Sequence, residues 1–332
     1  MAKAARPKLI RIKTRDGWRL AIYRYAARFR TSRWGPVVLC HGLGANRFNM
    51  DAPDEEISLA RYLAGRSHDT WVVELRGAGR SRPPAWPLQT RRAWDFDDYV
   101  QKDVPAILRR VLDDTGATNL NWVGHSMGGM LAYAAMIQYD TKLFRSVVTM
   151  ASPVFTRVAH PLLNQVYRLR GLLKVVPWLP YRPVGMLGAL APKLTSRGLG
   201  LLFANPDQMD PKHVRKLAPR VLTNLPSTLI DQFAEWYNSS EGFARTDGLM
   251  SYWEHLDRVG APLLVIAGAG DQLSPVRDLE QLYESVGSKK KKLLVCGRAT
   301  GFSVDYGHID LVLGKSARKE VYPHVADWIE TH

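Results

Sequence analysis

Six short apolar runs recur along this chain, and they constrain its fold more than any other feature of the sequence. Each run is unbroken and lacks the polar residue at every second position that marks a strand with one face in solvent. Such runs are typical of strands buried on both faces, as in a parallel sheet covered by helices. They cover residues 37–40, 70–75, 120–123, 146–150, 263–268 and 292–296.

Helical patterns lie between these runs, so strand and helix alternate along the chain. The predicted helices cover residues 55–65, 96–115, 127–139, 276–286 and 318–331. Before the first run, residues 9–25 alternate between apolar and polar and predict a hairpin with its turn at Asp16-Gly17. The alternation of strands and helices predicts an α/β fold.

The alternation is interrupted between about Ser152 and Arg258, where a long segment precedes the next strand pattern. A segment of that length inside a compact domain needs structure of its own. Its sequence mixes Leu, Val, Trp and Met with Arg, Lys and Pro. We therefore predict a core formed by residues 1–151 and 259–332, and a helical cap, residues 152–258, inserted between two core strands.

The motif Gly124-His125-Ser126-Met127-Gly128 follows a predicted strand and precedes a predicted helix. A serine at such a strand-to-helix turn has strained backbone dihedrals that expose its hydroxyl, and glycines on both sides let neighbouring backbone pass closely. This context predicts that Ser126 is a nucleophile. The alternative is a helix N-cap serine, which does not need the flanking glycines.

A serine hydroxyl needs a base to accept its proton, and that base is usually a histidine oriented by a carboxylate. His308 follows the last predicted strand, where a loop can carry it to Ser126, and we predict that it is the base. Asp271 directly follows the strand at 263–268 and is predicted to be the acid. Asp305 and Asp310 share the loop of His308, which limits their reach to its ring.

The carbonyl attacked by a serine becomes an oxyanion, which backbone N–H groups can stabilise. One predicted donor is the N–H of Met127, next to the nucleophile. The other is the N–H of Leu43, in the glycine-rich turn His41-Gly42-Leu43-Gly44 that follows the strand at 37–40. An ordinary turn with a structural histidine is the alternative interpretation of His41-Gly42.

These motifs together resemble those of the α/β-hydrolase superfamily: GHSMGG around Ser126, GAGD ending at Asp271, YGH ending at His308, and HGLG. Within it, the chain is similar to lipase-like and esterase-like members with a cap. The resemblance implies a mostly parallel eight-stranded sheet flanked by helices, and hydrolysis of carboxylic esters through an acyl-enzyme. HGLGANRFNMD, SLARYL and GHIDLVLG are also similar to polyhydroxyalkanoate synthases, but those enzymes have cysteine in place of Ser126.

Two other functions stay open at this point. The same triad could pass the acyl group to an alcohol or hydroxyacyl acceptor, which would make the protein an acyltransferase, or the fold could serve a non-catalytic protein. No cofactor is predicted. No metal site is predicted either, because no paired His or Cys spacing suggests zinc and the triad chemistry needs no metal.

The positive charge of the chain is concentrated in two regions. The formal net charge is +15; residues 1–33 carry 11 Lys and Arg against Asp16, and residues 151–220 carry 11 against Asp207 and Asp210. No nucleic-acid-binding motif accompanies this charge, so specific nucleic-acid binding is not predicted. In the cap, basic residues interleaved with apolar ones fit either ordinary packing with a solvated basic face or contact with an anionic membrane surface. The predicted substrate is a small-molecule or lipid ester.

The remaining features concern location and redox state. Cys40 and Cys296 lie at the ends of predicted strands and are interpreted as buried thiols without a disulfide. The basic N-terminus is not followed by an apolar run of signal-peptide length, so a cytoplasmic location is predicted. No apolar stretch reaches the length of a transmembrane helix.

Overall fold

The computed structural model describes residues 6–27, 33–85, 93–154, 178–199, 203–238 and 242–332. Residues 155–177 of the predicted cap lie outside the described part of the chain, as do 200–202 and 239–241.

An eight-stranded, mostly parallel sheet forms the centre of the molecule. Its strands are β1 Lys8–Lys13, β2 Arg19–Tyr25, β3 Pro36–Cys40, β4 Asp69–Glu74, β5 Leu120–His125, β6 Phe144–Met150, β9 Leu263–Gly268 and β10 Lys291–Cys296. Their order in the sheet is β1-β2-β4-β3-β5-β6-β9-β10. β2 pairs antiparallel with β1 and with β4, and the other neighbours are parallel. The predicted α/β fold, its hairpin and its six strands are confirmed, but burial on both faces is wrong for β10, which lies at the edge of the sheet and has only Cys296 fully buried.

The unbroken apolar runs are explained by burial on both faces of the sheet. Every residue of β3, β4, β5 and β9 is buried. In β3, Val38 and Cys40 pack into the core on one face of the sheet, and Val37 and Leu39 pack into the core on the other. Both Cys40 and Cys296 are buried free thiols, as predicted.

Helices cover both faces of this sheet. Those of the core are α1 Leu59–Gly65, α2 Val104–Thr115, α3 Met127–Gln138, α8 Val276–Ser285 and α9 Tyr322–Thr331. α3 is buried along almost its whole length, which explains its apolar, Ala-rich sequence. α2 and α3 pack with the Val38 face, and α1 and α9 with the Val37 face.

Two predicted helices contain an irregularity just before a proline. The segment predicted as 96–115 forms a short helix at Phe96–Asp98, a π-helical turn at Tyr99–Asp103, and then α2. The segment predicted as 318–331 forms a short helix at Ala317–Glu320 and then α9. Pro105 directly follows the π-helical turn, and Pro323 follows the break at Val321. Each irregularity lies where the proline has no N–H to donate to the preceding helical turn.

Between β6 and β9 the described residues add helices and two very short strands. The helices are α4 Tyr181–Gly188, α5 Pro192–Leu199, α6 Pro211–Val221 and α7 Ser227–Asn238. The strands β7 Trp178–Leu179 and β8 Leu225–Pro226 pair with each other, outside the main sheet. No helix in the described part of the chain is both long and apolar enough to cross a bilayer.

Candidate active site

Ser126 lies at the junction of β5 and α3 in a strained backbone conformation. Its φ is 52° and its ψ is −123°, a combination that a residue with a side chain rarely adopts. The surrounding structure stabilises this strain: the Ser126 N–H donates to the Met150 carbonyl at 2.8 Å, and its carbonyl accepts from the Gly129 N–H at 2.9 Å. The sharp turn that the motif predicts at Ser126 is present.

The glycines of the motif are required by close backbone contacts. A Cβ added to Gly124 would lie 2.3 Å from the backbone of Gly128, and one added to Gly128 would lie 2.4 Å from the Cys40 carbonyl oxygen. A Cβ on Gly129 would lie 2.2 Å from Ser152 Oγ. These glycines therefore let β5, α3 and the end of β3 approach each other around Ser126.

Asp271 and His308, far apart in sequence, form a buried pair. Asp271 Oδ2 lies 2.8 Å from His308 Nδ1. The other carboxylate oxygen, Oδ1, accepts from the N–H groups of Leu273 at 2.8 Å and Ser274 at 3.0 Å, which fixes the carboxylate. Because a carboxylate oxygen accepts this hydrogen bond, His308 carries its proton on Nδ1, and its Nε2 is the nitrogen that can accept a proton.

The two acidic residues beside His308 in sequence have other partners. Asp305 Oδ1 accepts from the Arg298 N–H at 2.9 Å. Asp310 accepts from the N–H groups of Gly307 and Asn205, and burial raises its pKa to about 6. Both residues stabilise the loop that carries His308, and Asp271 is the carboxylate on its ring.

His308 is joined to the serine turn through the neighbouring histidine. His125 Nε2 lies 2.9 Å from the His308 carbonyl oxygen, and the two imidazole rings are 5.0 Å apart. Since His125 directly precedes Ser126 in sequence, this contact ties the His308 loop to the turn that exposes the serine hydroxyl.

The loop after β3 packs directly against Ser126. A Cβ added to Gly42 would lie 3.1 Å from the Ser126 Cβ. The Gly42 carbonyl accepts from His41 Nδ1 at 2.9 Å and from the Ala45 N–H at 3.3 Å. A trans peptide points its N–H opposite to its carbonyl, so these contacts orient the Leu43 N–H. Met127, the first residue of α3, has an N–H without an intrahelical partner.

His41 has a clear structural role in this loop. Its Nδ1–H donates to the Gly42 carbonyl, and its Nε2 accepts from the Leu75 N–H at 3.3 Å. One neutral tautomer satisfies both contacts. Burial lowers the pKa of His41 to about 4, which keeps it neutral. A structural role for His41 is therefore compatible with an oxyanion-binding role for this loop, because the contacts of His41 orient the loop.

The chain between β6 and β9 also contacts this loop. The Thr223 N–H donates to the Gly44 carbonyl at 2.8 Å and its hydroxyl to the Ala45 carbonyl at 3.2 Å. Asn46 Nδ2 donates to the Arg220 carbonyl at 2.6 Å. A narrow cleft beside Met127 is lined partly by this loop and partly by residues 223–225.

Asn49 and Thr223 are site residues that the sequence interpretation did not identify. Asn49 Oδ1 accepts from the Gly42 N–H at 3.1 Å and lies 3.1 Å from His125 Nδ1. Its only signal in sequence is a pair of asparagines close behind the HGLG turn, at 46 and 49. Asparagine is common in turns for purely local reasons, so that signal does not identify the contact.

One group in the described part of the chain has the composition of a metal site. Asp54, Glu56 and His213 place possible ligand atoms within 4.8 Å of one another. However, Lys216 Nζ lies 3.5 Å and His213 Nε2 3.4 Å from Asp54 Oδ2. Because a lysine ammonium already neutralises this carboxylate, we assign no metal to the group.

Comparison with known proteins gives a consistent family signal. A family model described as the alpha/beta hydrolase fold matches residues 35–311. The chain is 23% identical to Lipase member K of Homo sapiens, covering 94% of this chain and 84% of that protein. It is 25% identical to Triacylglycerol lipase 1 of Arabidopsis thaliana, covering 95% and 84%. A solved esterase from Thermogutta terrifontis shares the fold, with a TM-score of 0.64, 16% identity and 98% of each chain covered.

Proposed function

The chain belongs to the alpha/beta hydrolase fold family, and on that premise we propose that it is a serine hydrolase that cleaves carboxylic esters through an acyl-enzyme. The observation that carries the proposal is the combination of a strained Ser126 with the Asp271–His308 pair, whose facing atoms are 2.8 Å apart. The lipase names of the curated relatives support esters, including lipid esters, as the substrate class.

In this mechanism Ser126 attacks the ester carbonyl while His308 Nε2 accepts the serine proton. Asp271 keeps the His308 proton on Nδ1 and stabilises the imidazolium that forms. The proton then passes from His308 to the leaving alcohol, and an acyl-enzyme remains. Water then attacks this ester while His308 accepts a proton from it. His308 returns that proton to Ser126 Oγ as the acid leaves, which restores the serine hydroxyl.

The oxyanion of both steps is stabilised by the N–H groups of Leu43 and Met127. The assignment of these two donors is supported by the orientation of the Gly42–Leu43 peptide by His41 and by the position of Met127 at the N-terminus of α3. Donors already in place do not have to reorganise when charge develops, and each contributes about 3–4 kcal/mol to transition-state stabilisation.

We propose the division into a core, residues 1–151 and 259–332, and a cap, residues 152–258. It is supported by the position of the segment between β6 and β9 and by the contacts of Thr223 with Gly44 and Ala45. Through these contacts the cap lies against the loop after β3, and residues 223–225 line the cleft beside Met127 together with that loop.

A specific observation favours contact of this cap with an anionic membrane surface. On α4, α5 and their connection, Leu187 is 66%, Leu190 78% and Leu194 72% exposed, and Val184 and Met186 are also more than half exposed. Exposed basic side chains at 182, 193 and 197 lie on the same segment, and residues 178–199 contain no acidic residue. We name this segment, residues 181–199, the cap patch.

The test of the proposed activity is hydrolysis of a p-nitrophenyl ester series from acetate to palmitate. Ser126→Ala is expected to lower kcat about 10⁶-fold, the loss seen when a triad nucleophile is removed. Ser285→Ala, an exposed serine at the end of α8, is the matched control and should retain full activity. Turnover by Ser126→Ala within tenfold of wild type would contradict the proposal.

Two further results of the same experiment would indicate the other functions. Labelling of Ser126 by a fluorophosphonate without ester hydrolysis, together with a new ester product when an alcohol is added, would indicate an acyltransferase. Absence of both labelling and turnover would indicate a non-catalytic protein of this fold.

A further inference from the structure

The imidazole of His125 lies between two hydrogen-bond acceptors. Its Nδ1 is 3.1 Å from Asn49 Oδ1, and its Nε2 is 2.9 Å from the carbonyl oxygen of His308. The residue is 4% exposed, so water cannot readily replace either partner.

The chemistry of both partner atoms is fixed by their surroundings. The Gly42 N–H, which can only donate, lies 3.1 Å from the same Asn49 atom, so that atom is the amide oxygen. The partner of Nε2 is a backbone carbonyl oxygen, which can only accept. Each contact therefore needs a proton on the His125 ring.

A neutral imidazole carries one N–H, and only the imidazolium carries two. Burial, followed by electrostatic interaction with the neighbouring His308, lowers the pKa of His125 to about 3. The neutral ring can donate to Asn49 or to His308, but not to both at once. This situation differs from that of His41, whose ring faces one acceptor and one donor.

The two acceptors belong to the two halves of the proposed site. Asn49 holds the Gly42 N–H at the start of the loop after β3, residues 41–46, which we call the oxyanion loop. The His308 carbonyl belongs to the loop that carries the general base. We propose that His125 is a positioning residue that couples the oxyanion loop to the His308 loop through one shared ring proton. This inference rests on the proposed function, because it assigns His125 to the same site.

The first test is a double-mutant cycle. His125→Phe keeps an aromatic ring but removes both contacts, and Asn49→Leu keeps the approximate volume but removes the acceptor. Each single variant is expected to lower kcat about 10- to 100-fold, because displacements of this kind misalign reacting groups, with little change in KM. The double variant should have about the same kcat as the more impaired of the two single variants, since both substitutions break the same bridge. If the fold-losses in kcat of the two single variants multiply in the double variant, the proposal is overturned. A His125→Phe enzyme with wild-type kcat would also overturn it.

The second test does not depend on any substrate. The ¹⁵N chemical shifts of the histidine rings report which nitrogen is protonated. In the wild type, His125 should show shifts averaged between two tautomers, and in Asn49→Leu the proton should move to Nε2. His41, with a single tautomer defined by Gly42 and Leu75, is the internal reference. Identical His125 shifts in wild type and Asn49→Leu would overturn the proposal even if the protein proved not to be an esterase.

Discussion

At the scale of single residues, His125 and His41 differ in the ring protonation that their hydrogen-bond partners require. His41 needs to be neutral, because its Nε2 accepts from the Leu75 N–H and a protonated ring cannot accept. Its contacts orient the Gly42–Leu43 peptide, so loss of its neutral form would disturb the proposed oxyanion loop and also remove a buried hydrogen bond.

We therefore predict that protonation of His41 lowers the free energy of unfolding as the pH falls. Its pKa is lowered to about 4 in the folded protein, while an unfolded histidine titrates near 6.5. Between these values the unfolded chain binds more protons, so the free energy of unfolding decreases as pH falls. From about pH 6.5 to about pH 4.5 this contribution is about 2 kcal/mol.

The measurement is urea unfolding of wild type and His41→Gln across this pH range. Glutamine does not titrate, so the stability advantage of the wild type should shrink towards acid. Parallel pH profiles for the two proteins would show that His41 is not the group responsible.

At the scale of elements, the junction of β5 and α3 depends on glycines more than on side-chain packing. Gly124→Ala would place a methyl group 2.3 Å from the backbone of Gly128, which cannot move without shifting α3. We expect a loss of about 1–3 kcal/mol in the free energy of unfolding, as for other overpacked sites, and a lower kcat because Ser126 moves with α3.

Gly65→Ala is the matched control for this substitution. Gly65 is the last residue of α1, and nothing lies within 4 Å of a Cβ built there. Alanine should leave stability unchanged or raise it by up to about 1 kcal/mol, since it favours the helix. Equal unfolding midpoints for the two variants would mean that the elbow tolerates a side chain at 124.

At the scale of the whole molecule, we predict that binding to an anionic membrane depends more on where the basic residues lie than on the net charge of the chain. The triple variant Arg182→Glu, Lys193→Glu and Arg197→Glu should lose about 100-fold or more in partitioning to phosphatidylserine-containing vesicles, since each basic residue near an anionic surface contributes about 1 kcal/mol. The control, Lys289→Glu, Lys290→Glu and Lys292→Glu, changes net charge equally at exposed positions around the start of β10.

Co-sedimentation with vesicles measures this partitioning, with phosphatidylcholine vesicles as the uncharged reference. The control triple variant should bind like the wild type. If both triple variants lose binding equally, the attraction depends on net charge alone and the cap patch is not the contact surface.

The sequence by itself determined the features that depend on local chemistry. An unbroken apolar run has few ways to be buried, so the strands from β3 to β10 that form the main sheet were predictable. The turn at Ser126 was predictable because glycine spacing encodes backbone dihedrals and close approach. The extents predicted for the helices at 96–115 and 318–331 agree with the structure, but the π-helical turn before Pro105 and the break at Val321 before Pro323 were not predicted.

Only the tertiary structure decided which distant groups meet. Asp271 and His308 were predicted from their places after strands, but the 2.8 Å contact depends on β9 and β10 being neighbours in the sheet. The contacts of His125 with Asn49 and with His308 span 76 and 183 residues. No local pattern carries such information, because these hydrogen bonds follow from the packing of α3, the Gly42 loop and the His308 loop around one turn of the chain.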